Sequence, residues 1–182
     1  MHRLFVALRP PPPIRALLLE VMGGVPGARW QDEDQLHLTL RFIGPVDRPQ
    51  AEDVAAALSQ VRAPAPRVAL GGVGRFEHRG RAEALWAGMA PAEPLTHLHR
   101  KVEAACARAG LAPERRAYLP HITLARFART AGSAAEIDRW LADHAALASP
   151  AFSFAHLVLY ESRLGRERAA YEPLERWPLT GA

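Results

Sequence analysis

The chain has 182 residues, of which 49% are hydrophobic and 23% charged, a composition typical of one folded globular domain. No apolar run approaches the ~20 residues that a membrane-spanning helix needs, so we expect no membrane partner and a cytoplasmic location. The formal net charge of +4 favours an anionic partner, although the dominance of arginine over lysine also fits a compositional bias of the genome.

The first half of the chain predicts strands and helices in alternation. A strand over residues 2–9 precedes a helix that starts in the proline run 10–13 and carries an apolar stripe as far as Val21. The next strand, residues 37–44, alternates apolar and polar side chains and is expected to end at Gly44-Pro45. A helix over 49–62 and a strand over 67–76 follow, and the glycines of that strand predict a bulge.

The second half repeats this succession of elements. A strand over residues 82–90 leads to an amphipathic helix over 94–109, which Gly110 ends. A further strand begins after Pro120, and residues 133–136 have the pattern of a capping box that opens a helix to about residue 144. Strands over 152–160 and 171–179 complete the chain.

Two of these strands carry the same short motif. The first contains His37-Leu38-Thr39-Leu40 and the second His121-Ile122-Thr123-Leu124. Because side chains alternate along a strand, each histidine shares a face with its threonine. Histidine can give or take a proton near neutral pH, and a threonine hydroxyl can donate to a phosphate oxygen. The pair of motifs therefore predicts acid–base displacement at phosphorus.

The motifs belong to a longer internal repeat. His121 lies 84 positions after His37, and the same offset carries the helix 49–62 and the strand 67–76 onto a helix and a strand of the second half. We predict one α+β domain over residues 1–182 that is bilobal, with two pseudo-symmetric β-α-β-α-β lobes (roughly 1–80 and 81–182) whose antiparallel sheets face a central groove. Exchange of strands between the lobes fits the pattern equally well, so we place no domain boundary between them.

Paired His-x-Thr-x motifs resemble those of the 2H phosphoesterases, and in particular the RNA 2′,3′-cyclic phosphodiesterases, also called 2′-5′ RNA ligase-like proteins. The likeness extends almost end to end, through segments 3–8, 29–30, 85–88, 120–126, 161–164 and 171–174. The resemblance implies hydrolysis of RNA 2′,3′-cyclic phosphate ends to 2′-phosphomonoesters, with His37 as proton donor and His121 as proton acceptor. From the residues alone the two roles are interchangeable.

Four further residues belong to the predicted site. Thr39 and Thr123 are expected to hold the non-bridging oxygens of the phosphate. The resemblance associates Arg126 with phosphate, but strict alternation places it on the face opposite His121, whereas Arg41 has the parity of the first motif. Phe42 is a candidate for stacking on a base, and a core position explains it equally well.

Other residues also bear on the prediction of function. Tyr118 is expected to border the groove. Neither motif has a carboxylate or second histidine at ligand spacing, and Cys106 lies on an apolar helical stripe, so we expect no metal and no cofactor. The expected partner is RNA, or a nucleotide, with a 2′,3′-cyclic phosphate, and the expected state is a monomer.

The alternatives are a 2′-5′ RNA ligase, a phosphodiesterase acting on a small cyclic or 2′,5′-linked nucleotide, and an RNA-binding module that keeps this fold without turnover.

Overall fold

The computed structural model describes residues 1–128, 133–165 and 169–181. The strands are β1 (His2–Leu8), β2 (Ala28–Trp30), β3 (Leu38–Val46), β4 (Arg67–His78), β5 (Arg81–Ala90), β6 (His121–Phe127), β7 (Phe152–Ser153), β8 (His156–Leu164) and β9 (Ala169–Pro178). The helices are α1 (Pro12–Val21), α2 (Arg48–Leu58), α3 (Glu93–Arg108) and α4 (Ala134–Asp143), and a 3₁₀ turn spans Glu33–Gln35. The protein therefore has the α+β fold that the sequence predicts.

The strands pair in the order β7-β4-β5-β6-β3-β1-β8-β9, with β2 on the part of β6 that β3 leaves free. Every pairing between these strands is antiparallel. The two motif strands, β3 and β6, meet at the single residue pair Leu38–Ile122. A narrow seam thus joins two half-sheets, which we call the His37 half-sheet (β3, β1, β8, β9) and the His121 half-sheet (β6, β5, β4, β7, β2).

Strands are exchanged between the two halves of the repeat. Strand β4 follows the first motif in the chain but pairs with β5 in the His121 half-sheet. Strand β8 occupies the equivalent place after the second motif and pairs with β1 in the His37 half-sheet. Each half-sheet therefore contains strands from both halves of the chain.

The main core lies between one face of the sheet and the helices. Leu38 and Leu40 of β3 and Ile122 and Leu124 of β6 are buried in it, together with Leu98 of α3. The alternate residues of β3 and β6 face away from the helices, as the period of two requires. This opposite face is the one available for a site.

Several boundaries differ from the sequence prediction. Gly44 and Pro45 lie inside β3, because Gly44 takes a φ of +84°, which glycine adopts freely, and the strand continues to Val46. The strand predicted over 152–160 is two strands, β7 and β8. Ser133 precedes α4 but its side chain makes no capping hydrogen bond, so the predicted capping box is not formed. The bulge predicted at the glycines of β4 is confirmed between Leu70 and Val73.

Candidate active site

The two motif histidines are held by the same local hydrogen bond. His37 Nδ1 lies 2.7 Å from the carbonyl oxygen of Gln35, and His121 Nδ1 lies 2.7 Å from that of Leu119. A carbonyl oxygen only accepts, so Nδ1 of each ring donates, and Nε2 of the neutral ring is left as an acceptor. Each Nε2 can therefore take a proton as a base, or carry one as an acid.

Aromatic rings surround His37. Phe5 lies 5.0 Å from the imidazole, Tyr171 meets it edge-on at 5.2 Å, and Tyr160 lies at 6.3 Å. Burial among these rings lowers the pKa of His37 to about 4, and the hydrogen bond to Gln35 opposes this shift. The charges of Arg126 and His121 lower the pKa further, so both groups lie near the first histidine.

His121 has a smaller aromatic wall of its own. Phe76 meets its ring edge-on at 4.7 Å and Trp86 lies at 6.1 Å. The indole of Trp86 lies over Gly74, where an added Cβ would come within 2.2 Å of it. Burial lowers the pKa of His121, as does the charge of Arg126, while the bond to Leu119 raises it.

A bulge follows the threonine of each motif and changes which side chains reach the site. Thr39 pairs with Ala7 and Arg41 with Val6, so β3 has one residue more than its partner over this stretch. In β6, Thr123 pairs with Trp86 and Ala125 with Leu85, so β6 likewise has one residue more than its partner β5 over this stretch. A bulge shifts the alternation by one position, so residues beyond it exchange faces.

These bulges correct two predictions based on strict alternation. Arg126 lies on the face of His121 rather than opposite it, and its charge reaches both histidines. Arg41 borders the space between the motif strands, but its side chain is buried, forms an ion pair with Glu103 at 3.0 Å and donates to the carbonyl of Ala112, so its guanidinium is already engaged.

The interpretation of Phe42 as a core residue is also wrong. Its side chain is 59% exposed, and its ring lies 6.0 Å from Phe5 on the face that carries His37. Phe42 and Arg126 occupy the same place in the repeat, because they are separated by the offset of 84 that separates the histidines. An exposed aromatic ring and an exposed cation thus stand at equivalent positions beyond the two motifs.

The predicted residues other than His37 line a common groove of about 480 Å³ between the motif strands, which we call the catalytic groove. His37 is not part of this lining, and lies near enough to it for the charges of Arg126 and His121 to lower its pKa. Its walls include Thr39, Phe42, Tyr118, His121, Thr123 and Arg126. Tyr118 borders it as predicted and stacks on His99 at 4.0 Å with an interplanar angle of 2°. Burial raises the pKa of Tyr118, and within the described residues its hydroxyl has no hydrogen-bond partner.

The aromatic walls around the two histidines could not be assigned to the site from the sequence. Phe5, Tyr160 and Tyr171 reach His37 from three strands that are distant in the chain, and no local pattern relates them. The signal that the sequence offers is the phenylalanine of segment 3–8 and the tyrosine of segment 171–174, because both segments carry the likeness to the 2H phosphoesterases.

No group of three or more His, Cys, Asp or Glu side chains that could hold a metal ion occurs within residues 1–128, 133–165 and 169–181. In the same part of the chain, no helix is both long and apolar enough to cross a membrane.

Comparison with known proteins gives one consistent family. The profile of the 2′-5′ RNA ligase superfamily matches residues 10–166. The RNA 2′,3′-cyclic phosphodiesterase of Escherichia coli K12 is 31% identical over 152 residues, which are 81% of this chain and 77% of that protein. The enzyme of the same name from Geobacillus stearothermophilus is 33% identical over 90% of this chain, but the match covers only 51% of the relative, so the chain spans about half of its length.

Solved structures share the fold. The crystal structure of E. coli LigT complexed with 3′-AMP is 28% identical with a TM-score of 0.77, and the match covers 98% of both chains. A crystal structure of a Thermus thermophilus protein is 25% identical with a TM-score of 0.78, over the same share of both chains.

Proposed function

The chain belongs to the 2′-5′ RNA ligase superfamily, and from that membership we propose that it hydrolyses RNA 2′,3′-cyclic phosphate ends to 2′-phosphomonoesters. The observation that carries the proposal is the matched pair of histidines, each with Nδ1 bonded to a carbonyl and Nε2 available, and each followed by a threonine on the same face. One ring serves as base and the other as acid, as displacement at phosphorus requires.

The reaction balances without any further group. His121 takes a proton from water through Nε2, the water oxygen bonds to phosphorus, and the bond from phosphorus to the 3′ oxygen breaks. His37 gives its Nε2 proton to that oxygen, which leaves as a hydroxyl. Thr39, Thr123 and Arg126 donate hydrogen bonds to the non-bridging oxygens, where negative charge accumulates.

The low pKa of His37 determines when the acid becomes charged. In the free protein this ring is neutral at pH 7, because its pKa is about 4. An anionic phosphodiester in the groove favours the imidazolium and raises the pKa of both rings. His37 therefore takes up its proton together with the substrate.

The first experiment measures turnover of a 2′,3′-cyclic mononucleotide and of an oligoribonucleotide with the same end, in the presence of EDTA. Separation of 2′- from 3′-phosphate products identifies the bond that breaks. We expect 2′-phosphate from both substrates, with no loss of rate on chelation. Absence of turnover, or activity that returns only with added Mn²⁺ or Zn²⁺, would overturn the proposal.

The second experiment assigns the two histidines. His37→Ala and His121→Ala should each lower kcat/KM on a cyclic phosphate by ~10²–10⁴-fold, since each removes an acid or a base. On a p-nitrophenyl phosphodiester that the site accepts, the leaving group needs no proton, so His37→Ala should recover most of its loss and His121→Ala should not.

Exposed His156, at the start of β8, provides the control: His156→Ala should match wild type on both substrates. Recovery in His121→Ala instead would reverse the assignment of acid and base. Full activity of both His37→Ala and His121→Ala on the cyclic phosphate would mean that neither histidine takes part in the mechanism.

A further inference from the structure

A second cavity adjoins the catalytic groove. It has a volume of about 1140 Å³ and shares Glu77, His78, Glu83 and Arg126 with the groove, so the two spaces adjoin along these side chains. Its walls carry five arginines against two glutamates, and we call it the arginine cavity. The arginines are Arg29, Arg75, Arg79, Arg81 and Arg126.

Two of these arginines are placed side by side by the sheet. Arg29 of β2 is the direct partner of Arg126 in β6. Residues paired across antiparallel strands point to the same face, so both guanidinium groups lie on the side of the catalytic groove, and both line the cavity. Like charges directly opposite each other destabilise a strand pair, and an anion bound between them removes that cost.

The nearby carboxylates do not neutralise this pair. Glu77 forms an ion pair with Arg75 at 2.7 Å, and Asp138 bonds to the same guanidinium. Within the described residues, neither Arg29 nor Arg126 has an ion pair with a carboxylate. The planar fork of an arginine matches the oxygens of a phosphate, and the cavity wall carries two such exposed forks side by side.

We propose that Arg29 and Arg126 together hold the internucleotide phosphate next to the reacting end of an RNA strand, in the arginine cavity. Arg126 stands where the two spaces meet, so it can contact the reacting phosphate on one side and face Arg29 on the other. A mononucleotide fills the catalytic groove only, whereas an RNA end continues past Arg126 to Arg29. The inference rests on the proposed function, and it adds a subsite for the nucleotide that precedes the reacting end.

Arg29 is the residue to change, because it lies outside the catalytic groove. Arg29→Ala should lower kcat/KM on a short oligoribonucleotide 2′,3′-cyclic phosphate by about tenfold, mainly through KM, as expected for loss of one charged contact to phosphate. A 2′,3′-cyclic mononucleotide has no second phosphate, so its kcat/KM should stay at the wild-type value. Arg29→Lys keeps the charge and should restore part of the loss.

Salt provides a second readout of the same contact. The slope of log(kcat/KM) against log salt on the oligonucleotide should become shallower by about 0.7 in Arg29→Ala, the value for one phosphate contact on a single strand. Arg100→Ala, at an exposed position of α3, is the matched control for loss of one arginine and should change neither substrate.

Binding separates this inference from the proposed function. Fluorescence anisotropy with a labelled oligoribonucleotide ending in a 3′-hydroxyl needs no turnover, and Arg29→Ala should raise its Kd by about tenfold. One outcome would support the subsite and contradict the proposed reaction: the wild-type protein binds this strand, Arg29→Ala binds it more weakly, and the wild-type protein turns over no cyclic phosphate. Equal loss on the mononucleotide and the oligonucleotide, or no loss on either, would overturn the subsite.

Discussion

Thr39 and Thr123 each offer one hydroxyl to the catalytic groove, on the same face as the histidine two residues earlier. Thr39→Val and Thr123→Val keep the shape and the strand preference of the side chain but remove this donor. We expect folded proteins whose kcat/KM on a cyclic phosphate falls ~10²-fold each, as for the loss of one oxyanion donor. Thr96→Val in α3 is the matched control and should have wild-type kinetics; equal activity in all three variants would make the groove threonines purely structural.

His37 also makes the stability of the protein depend on pH. Its pKa is lowered from 6.5 in the unfolded chain to about 4 in the folded protein. Between these values the unfolded state binds more protons, so the free energy of unfolding falls as the pH falls through this window, and the full stability is present above pH 6.5. The loss from this group amounts to about 2 kcal/mol between pH 7.5 and pH 5.

The measurement compares denaturant unfolding of wild type and His37→Gln at these two pH values. Because the variant lacks the titrating ring, its free energy of unfolding should fall less on acidification than that of wild type. His156→Gln, at an exposed position, should behave as wild type. An identical fall in all three proteins would mean that the folded state does not resist protonation of His37.

At the scale of the strand, the alternation of side chains correctly predicted the faces of the two histidines and the two threonines, but not those of the arginines. It placed each histidine and its threonine on one face, and the buried leucines of β3 on the other, as the structure has them. It misplaced Arg126 and Arg41, because a bulge adds one residue without a distinctive local sequence and reverses the parity beyond it. The bulge in β3 is visible only in its register with β1, which is a non-local property.

Strand β4 offers a test of the wall behind His121. Gly74→Ala adds a Cβ that would lie 2.2 Å from the ring of Trp86, so the indole must move away from its place beside His121. We expect a loss of ~1–3 kcal/mol in the free energy of unfolding, as for overpacked sites, and a fall in kcat. Denaturant unfolding and turnover of a cyclic phosphate measure the two effects.

Gly71 in the same strand supplies the matched control. A Cβ there would lie 3.5 Å from that of Ala90, an ordinary contact, so Gly71→Ala should leave both stability and kcat near wild type. Equal effects of the two substitutions would mean that the strand tolerates no alanine, and that Trp86 has no special part in the loss.

At the scale of the whole molecule, the sequence predicted two halves but not how they are built. The offset of 84 relates the motifs and the elements after them, yet β4 and β8 each lie in the half-sheet of the other motif. A repeat in sequence does not specify which copy a strand pairs with, because that depends on tertiary contacts between distant segments. The single domain over residues 1–182 stays a prediction.

The exchanged strands predict the behaviour of fragments. Residues 1–80 lack the partners β5 and β8, and residues 81–182 lack β1, β3 and β4. Neither fragment alone should show a cooperative unfolding transition when it is followed by circular dichroism, because each would expose unpaired strand edges. A mixture of the two should regain the far-ultraviolet spectrum of the intact chain, and cooperative unfolding of either fragment alone would contradict the exchange.

The same exchange sets the time at which the site is completed during protein synthesis. Both motif histidines, both threonines and Arg126 have been translated once residue 126 is in place, but Tyr160 and Tyr171, which enclose His37, belong to β8 and β9. A nascent chain that still has β9 inside the ribosome therefore exposes His37 to water, and its pKa stays closer to the ordinary value. An unfinished chain beside ribosomal and messenger RNA thus lacks the enclosed His37 that the proposed reaction requires, so we expect the proposed activity only after β8 and β9 have been released.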